Sequence, residues 1–138
     1  QGAFRYVHAD DAGEEHVVGY AFAGEFVGDY ISMCVDAPSQ VTIGAMCGAE
    51  ALLVPGERLE TFYRTDAACE RLGRRLAEHM LAEVYERLLD RYAASPQQRY
   101  EALTERCPDV LQLVPLRELA SYLGVRPETL SRIRRRVR

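Results

Sequence analysis

Apolar and polar positions along this chain follow three successive rhythms. The first has a period of two. Phe4-Arg5-Tyr6-Val7-His8 alternates, Asp10-Asp11-Ala12-Gly13 interrupts it as a turn, and His16-Val17-Val18-Gly19-Tyr20-Ala21-Phe22 resumes it. Val41-Thr42-Ile43-Gly44-Ala45 and Ala51-Leu52-Leu53-Val54 read as two further short strands. Short strands with frequent Gly predict a barrel or roll. These strands are few for a complete one, and the chain starts in strand-like sequence. The expected element is therefore a partial β-roll, part of a fragment whose opening strands are absent.

The second rhythm is helical. After a short lead-in at Leu59–Tyr63, Leu72, Leu76, Met80, Val84 and Leu88 recur at four-residue steps, and Leu81, Tyr85, Leu89 and Tyr92 form an adjacent stripe. The spacing predicts one helix from Asp66 to Tyr92, long for a globular domain. Two apolar stripes can pack on two neighbours, so the helix is expected to pair with its copy in a homodimer.

The third part, from Ser95-Pro96 onward, is a set of short helices. Ser95 reads as an N-cap with Pro96 at the first helical position. That helix runs through Arg99, Tyr100, Leu103 and Arg106 and stops before Pro108. Pro108 and Pro115 bracket the apolar turn Val110-Leu111-Gln112-Leu113. From Leu116, apolar residues fall at Leu119, Leu123, Val125, Leu130 and Ile133, with Gly124 between the two groups. This is the spacing of a helix-turn-helix. Gly124 supplies a positive φ at the end of the first helix, Pro127 opens the second, and Ala120 lets the two approach closely.

The second helix of such a unit enters the DNA major groove. Its polar face offers chemistry for that. Arg132 can bond guanine O6 and N7 together, Glu128 can accept from cytosine N4, and Ser131 can meet a base edge. Arg126, Thr129, Arg134, Arg135, Arg136 and Arg138 are placed to engage phosphates. The expected class is α+β: a partial β-roll over residues 1–63, a long dimerisation helix over 64–94, and a C-terminal helix-turn-helix domain over 95–138.

Charge sharpens this picture. The 138 residues carry a net charge of −4, unevenly spread. Residues 1–50 hold eight acids against one arginine, and residues 126–138 hold six arginines against one acid. Phosphate binding needs a basic patch rather than a basic protein, so the partner expected is double-stranded DNA. Every basic residue other than His is Arg. Cys34, Cys47, Cys69 and Cys107 form no CxxC pair and no histidine flanks them, which argues against a metal or iron–sulfur site. No Ser/His/Asp arrangement or phosphate loop marks an enzyme. No apolar run approaches the ~20 residues of a membrane span, and nothing at the start reads as a signal peptide, so the default location is the cytoplasm.

The order of parts resembles the cyclic-AMP receptor/fumarate–nitrate regulator (Crp/Fnr) family. Two stretches carry the resemblance: Gly24-Glu25-Phe26-Val27-Gly28-Asp29-Tyr30, similar to the opening of that family's phosphate-binding cassette, and Leu119 through Arg132, similar to its helix-turn-helix. The resemblance implies a cyclic-nucleotide-binding-like jelly roll, a homodimeric transcription regulator, contact with RNA polymerase, and base contacts by Glu128 and Arg132. Gly24, Glu25, Gly28, Ser39 and Gln40 are the candidate ligand cassette. The chain departs from the family where members that bind cyclic AMP carry an Arg that holds the phosphate. Ser39 stands there, and no Arg or Lys lies between Arg5 and Arg58. An anion seated without a cation is poorly compensated. A cyclic nucleotide is therefore not expected, and the sequence assigns no particular cofactor. The β-wing that follows the recognition helix in the family is absent or cut short. The alternative is an effector-sensing roll for a cyclic nucleotide or another small ligand, the latter in an apolar pocket near Phe22, Phe26 and Tyr30, whose DNA binding is weak or lost.

Overall fold

The alternating segments pair as their pattern requires. The computed structural model describes residues 2–137. Strands β1 (Phe4–Ala9) and β2 (Glu15–Ala21) form an antiparallel hairpin, and β3 (Thr42–Ala45) pairs antiparallel on the other edge of β1, giving the order β2-β1-β3. Asp10 builds the hairpin turn: its Oδ1 accepts from the N–H groups of Ala12 and Glu14, each at 2.9 Å. The pairing steps from Tyr6↔Gly19 to Val7↔Val17, which leaves Val18 as an extra residue in a bulge.

The fourth expected strand is a correction. Residues 51–55 carry no regular structure, and Leu52 and Leu53 are 92% and 87% exposed. Their β propensity finds no packing neighbour to act through. Among the described residues the β part is thus one small sheet of three strands. Between β2 and β3 lies a helix absent from the sequence reading, α1 (Tyr30–Cys34), capped by Asp29.

The helices follow in order: α2 (Gly56–Tyr63), α3 (Ala67–Ala93), α4 (Pro96–Arg106), α5 (Val110–Leu113), α6 (Leu116–Tyr122) and α7 (Pro127–Val137). The chain groups into two compact units, one joining residues 1–51 to 96–138 and the other spanning 52–95. This regroups the three-part division at 1–63, 64–94 and 95–138. The reason is a shared core. Ala3, Tyr20 and Phe22 are buried in the same cluster as Tyr100, Leu103, Val110, Leu119, Leu130 and Ile133.

The second unit is α2 packed on α3. Asp66 caps α3 by accepting from Ala68 N at 2.7 Å and Cys69 N at 2.9 Å, so the helix starts where the sequence placed it. Gly73 is its buried residue and faces the Tyr63 ring: a methyl group there would lie 2.7 Å from that ring. The leucines and tyrosines from Leu81 to Tyr92 are exposed. No helix among the described residues is long and apolar enough to cross a membrane.

Candidate nucleic-acid interface

Helices α6 and α7 are joined by a turn that the local sequence dictates. Gly124 takes φ +67°, a left-handed value that glycine adopts without strain. Its N–H donates to Ser121 O at 2.9 Å, and the Val125 N–H donates to Ala120 O at 2.9 Å. This paired arrangement is the Schellman ending of a helix. Arg99 adds a third bond, from Nη2 to Leu123 O at 2.9 Å. Pro127 then starts α7, with Thr129 N and Leu130 N both bonded to Arg126 O.

One side of α7 is closed within the chain. Leu130 and Ile133 are buried, as are Leu119, Ala120 and Leu123 of the preceding helix and cap. The opposite side carries Glu128, Arg132, Arg135 and Arg136 at i, i+4, i+7 and i+8, a single helical face. All four are exposed, while Thr129, Ser131 and Arg134 are half-buried beside them. Among the described residues, Arg132 and Arg135 make only long bonds at 3.4 Å within their own helix, to Thr129 Oγ1 and Ser131 O. Among the described residues no carboxylate pairs with Arg126, Arg132, Arg134, Arg135 or Arg136. The structure therefore brings Glu128, Arg132, Arg135 and Arg136 to one exposed face. Arg138 lies outside the described residues.

The candidate ligand cassette is organised differently. Its residues enter separate internal bonds rather than one open seat. Gly24 takes φ +88° in the turn after β2. Glu25 receives a two-pronged bond from Arg106, Nε to Oε1 at 2.6 Å and Nη2 to Oε2 at 2.5 Å, and also accepts from Phe22 N at 2.9 Å. Gly28 N donates to Tyr6 Oη at 3.0 Å. Ser39 Oγ donates to Asp29 Oδ2 at 2.7 Å and lies 2.9 Å from Val41 O, and Gln40 O faces His8 Nδ1 at 2.9 Å. The bonds from Ser32 first, and then from Ser39, hold the Asp29 carboxyl below the usual carboxylate range. A carboxylate of the chain itself thus takes up the hydrogen-bond donors beside Ser39. The expected apolar pocket does not form from its three aromatics: Phe22 is buried, but Phe26 is 72% exposed.

Several contacts within the unit were not visible in the sequence. Arg106, besides holding Glu25, donates to Tyr20 O at 2.8 Å and lies over the Phe22 ring, 5.1 Å from its centroid. Glu118, in the first turn of α6, accepts from Arg5 Nη1 at 3.0 Å and from Tyr20 Oη at 3.1 Å. Burial, together with the Glu118 carboxylate, pushes the Tyr20 phenol far above its ordinary range. These partners lie about a hundred residues apart, and no local spacing announces them.

Fold and site define an α+β chain with an arginine-rich helix presented at its surface. No protein-family model and no curated protein matches it. Among solved structures the chain is similar to CLP, described as the c-di-GMP responsive global regulator that links cell-cell signaling to virulence gene expression in Xanthomonas campestris. The identity is 18%, the TM-score 0.49, and the match covers 99% of this chain and 73% of that one. A likeness at that level carries no argument about what this chain does.

Proposed function

We propose that the chain is a homodimeric, sequence-specific DNA-binding regulator of transcription, with α6 and α7 as a helix-turn-helix. The observation that carries the reading is the α7 face, where four exposed polar residues at helical spacing include arginines without carboxylate partners. Phosphates would satisfy Arg126, Thr129, Arg134, Arg135 and Arg136, and these contacts set position rather than sequence. Glu128, Ser131 and Arg132 would read base edges.

The uncovered stripes of α3 support self-association. Leu81, Tyr85, Leu88, Leu89 and Tyr92 are exposed along one helix, and such a row marks an interaction face. Two copies joined there would set two reading helices on half-sites about 34–36 Å apart. Contact with RNA polymerase rests on the family resemblance alone. The Asp29–Ser39 bond supports a regulator whose signal is not a cyclic phosphate, because the donor such a ligand would use already serves a carboxylate.

Selection of binding sites from random duplex DNA tests the proposal. The expected product is a two-fold symmetric motif. A salt-sensitive scatter of unrelated sequences would leave only counterion-driven binding and overturn it.

A further inference from the structure

We infer that Tyr20 and Glu118 are positioning residues through which the sheet sets how α7 is presented to DNA, an inference that rests on the reading role proposed above. Helix α6 lies against β2 and against α7. Tyr20, only 2% exposed, grips α6 at both ends. Its hydroxyl donates to Glu118 Oε1 in the first turn at 3.1 Å, and its ring meets Tyr122 in the last turn edge-on, with centroids 4.8 Å apart. Arg5 of β1 holds the other carboxylate oxygen, Oε2, at 3.0 Å. Each oxygen of Glu118 is thus committed to a different strand.

Apolar burial alone would not fix the rotation of α6, because it is non-directional. Leu119 and Ala120 are fully buried, and an apolar contact of similar area would tolerate a range of helix rotations. Bonds to two specified oxygens tolerate little. Among the described residues no hydrogen bond or ion pair joins α7 to the strands, and α7 packs on α6 and α4 instead. The sheet therefore governs α7 by way of α6. Arg106 ties α4 to the sheet side in a parallel way, through Glu25 and Tyr20 O.

The test uses the full chain carrying Tyr20→Phe, which keeps the ring, and Glu118→Gln, which keeps the shape. Arg5→Ala joins them because Arg5 is partly exposed and its loss leaves the core intact. Amide hydrogen exchange across α6 is followed without DNA, and affinity is measured on the selected operator and on random duplex. Exchange in α6 is expected to quicken by roughly tenfold and operator affinity to fall by roughly tenfold, the scale of one hydrogen bond to a charged group. Affinity for random duplex should stay within about twofold, because every phosphate-facing arginine remains. Faster exchange with unchanged operator affinity overturns the inference, and so does unaltered exchange in all three variants. A wild-type chain with no preference for any duplex sinks the DNA reading itself, and that arm separates the two failures.

Discussion

Helices α3 and α7 are both rich in arginine and both leave residues uncovered, but they differ in what they expose. α3 carries five acids beside its five arginines, with Arg74 bonded to Glu78 at 2.5 Å. What it leaves open from Leu81 to Ala93 includes its apolar stripe. α7 carries one acid beside four arginines, and its apolar side is closed by α6. What it leaves open is charge. Arginine content alone is therefore not what sets α7 apart. The two helices differ in charge balance and in whether the apolar side is already covered within the chain.

The sharpest way to break this contrast is to truncate an apolar residue on each helix. Leu130→Ala should cost about 2–5 kcal/mol in denaturant unfolding, because a cavity opens in a fully buried site. Leu88→Ala should change the unfolding of dilute monomer by less than about 0.5 kcal/mol, while raising the concentration at which the chain self-associates in sedimentation. Equal losses for the two in dilute monomer would mean that α3 is covered by its own chain. Next in size is Arg132→Ala, expected to cost about 1–3 kcal/mol on the selected operator and to relax the base preference. Arg75→Ala, on α3, should leave DNA affinity unaltered. An equal loss on random duplex would make Arg132 a phosphate contact.

The smallest effect concerns the helix starts. Asp66 is held below its ordinary value of 3.8 by the backbone bonds from Cys69 and Ala68. As pH falls, the unfolded chain takes up this proton first. The stability from the cap is therefore complete above 3.8 and is lost as pH falls through the lower folded value. Asp66→Ala should lower helix content by far-UV circular dichroism near neutral pH, and the gap from wild type should close in acid. The first turn of α7 is bonded to Arg126 O instead and should not share that dependence. A gap that persists unchanged into acid would remove the carboxylate from the cap.

Where the fold was legible, the signal was local. Four-residue steps placed α3 to within a residue at each end, and Gly124 with Pro127 placed the turn between α6 and α7. The strand expected at Ala51–Val54 failed because composition says nothing about whether a neighbour exists. The grouping of sheet and C-terminal helices was also hidden. It rests on Arg106–Glu25 and Glu118–Arg5, pairs separated by 81 and 113 residues. The polar face of α7 was visible as a helical repeat, but that its arginines have no carboxylate partner among the described residues needed coordinates.

The unit formed by residues 1–51 and 96–138 is interrupted by all of residues 52–95, and this has a consequence for synthesis. A ribosome releases the chain from its N-terminus, and domains tend to fold as they emerge. The hairpin will be complete while Tyr100, Leu119 and Leu130, the other half of its core, are still untranslated. Tyr20 and Phe22 must then wait in water, an apolar surface that a chaperone could recognise. The later-synthesised helices are thus what let the earlier strands finish folding.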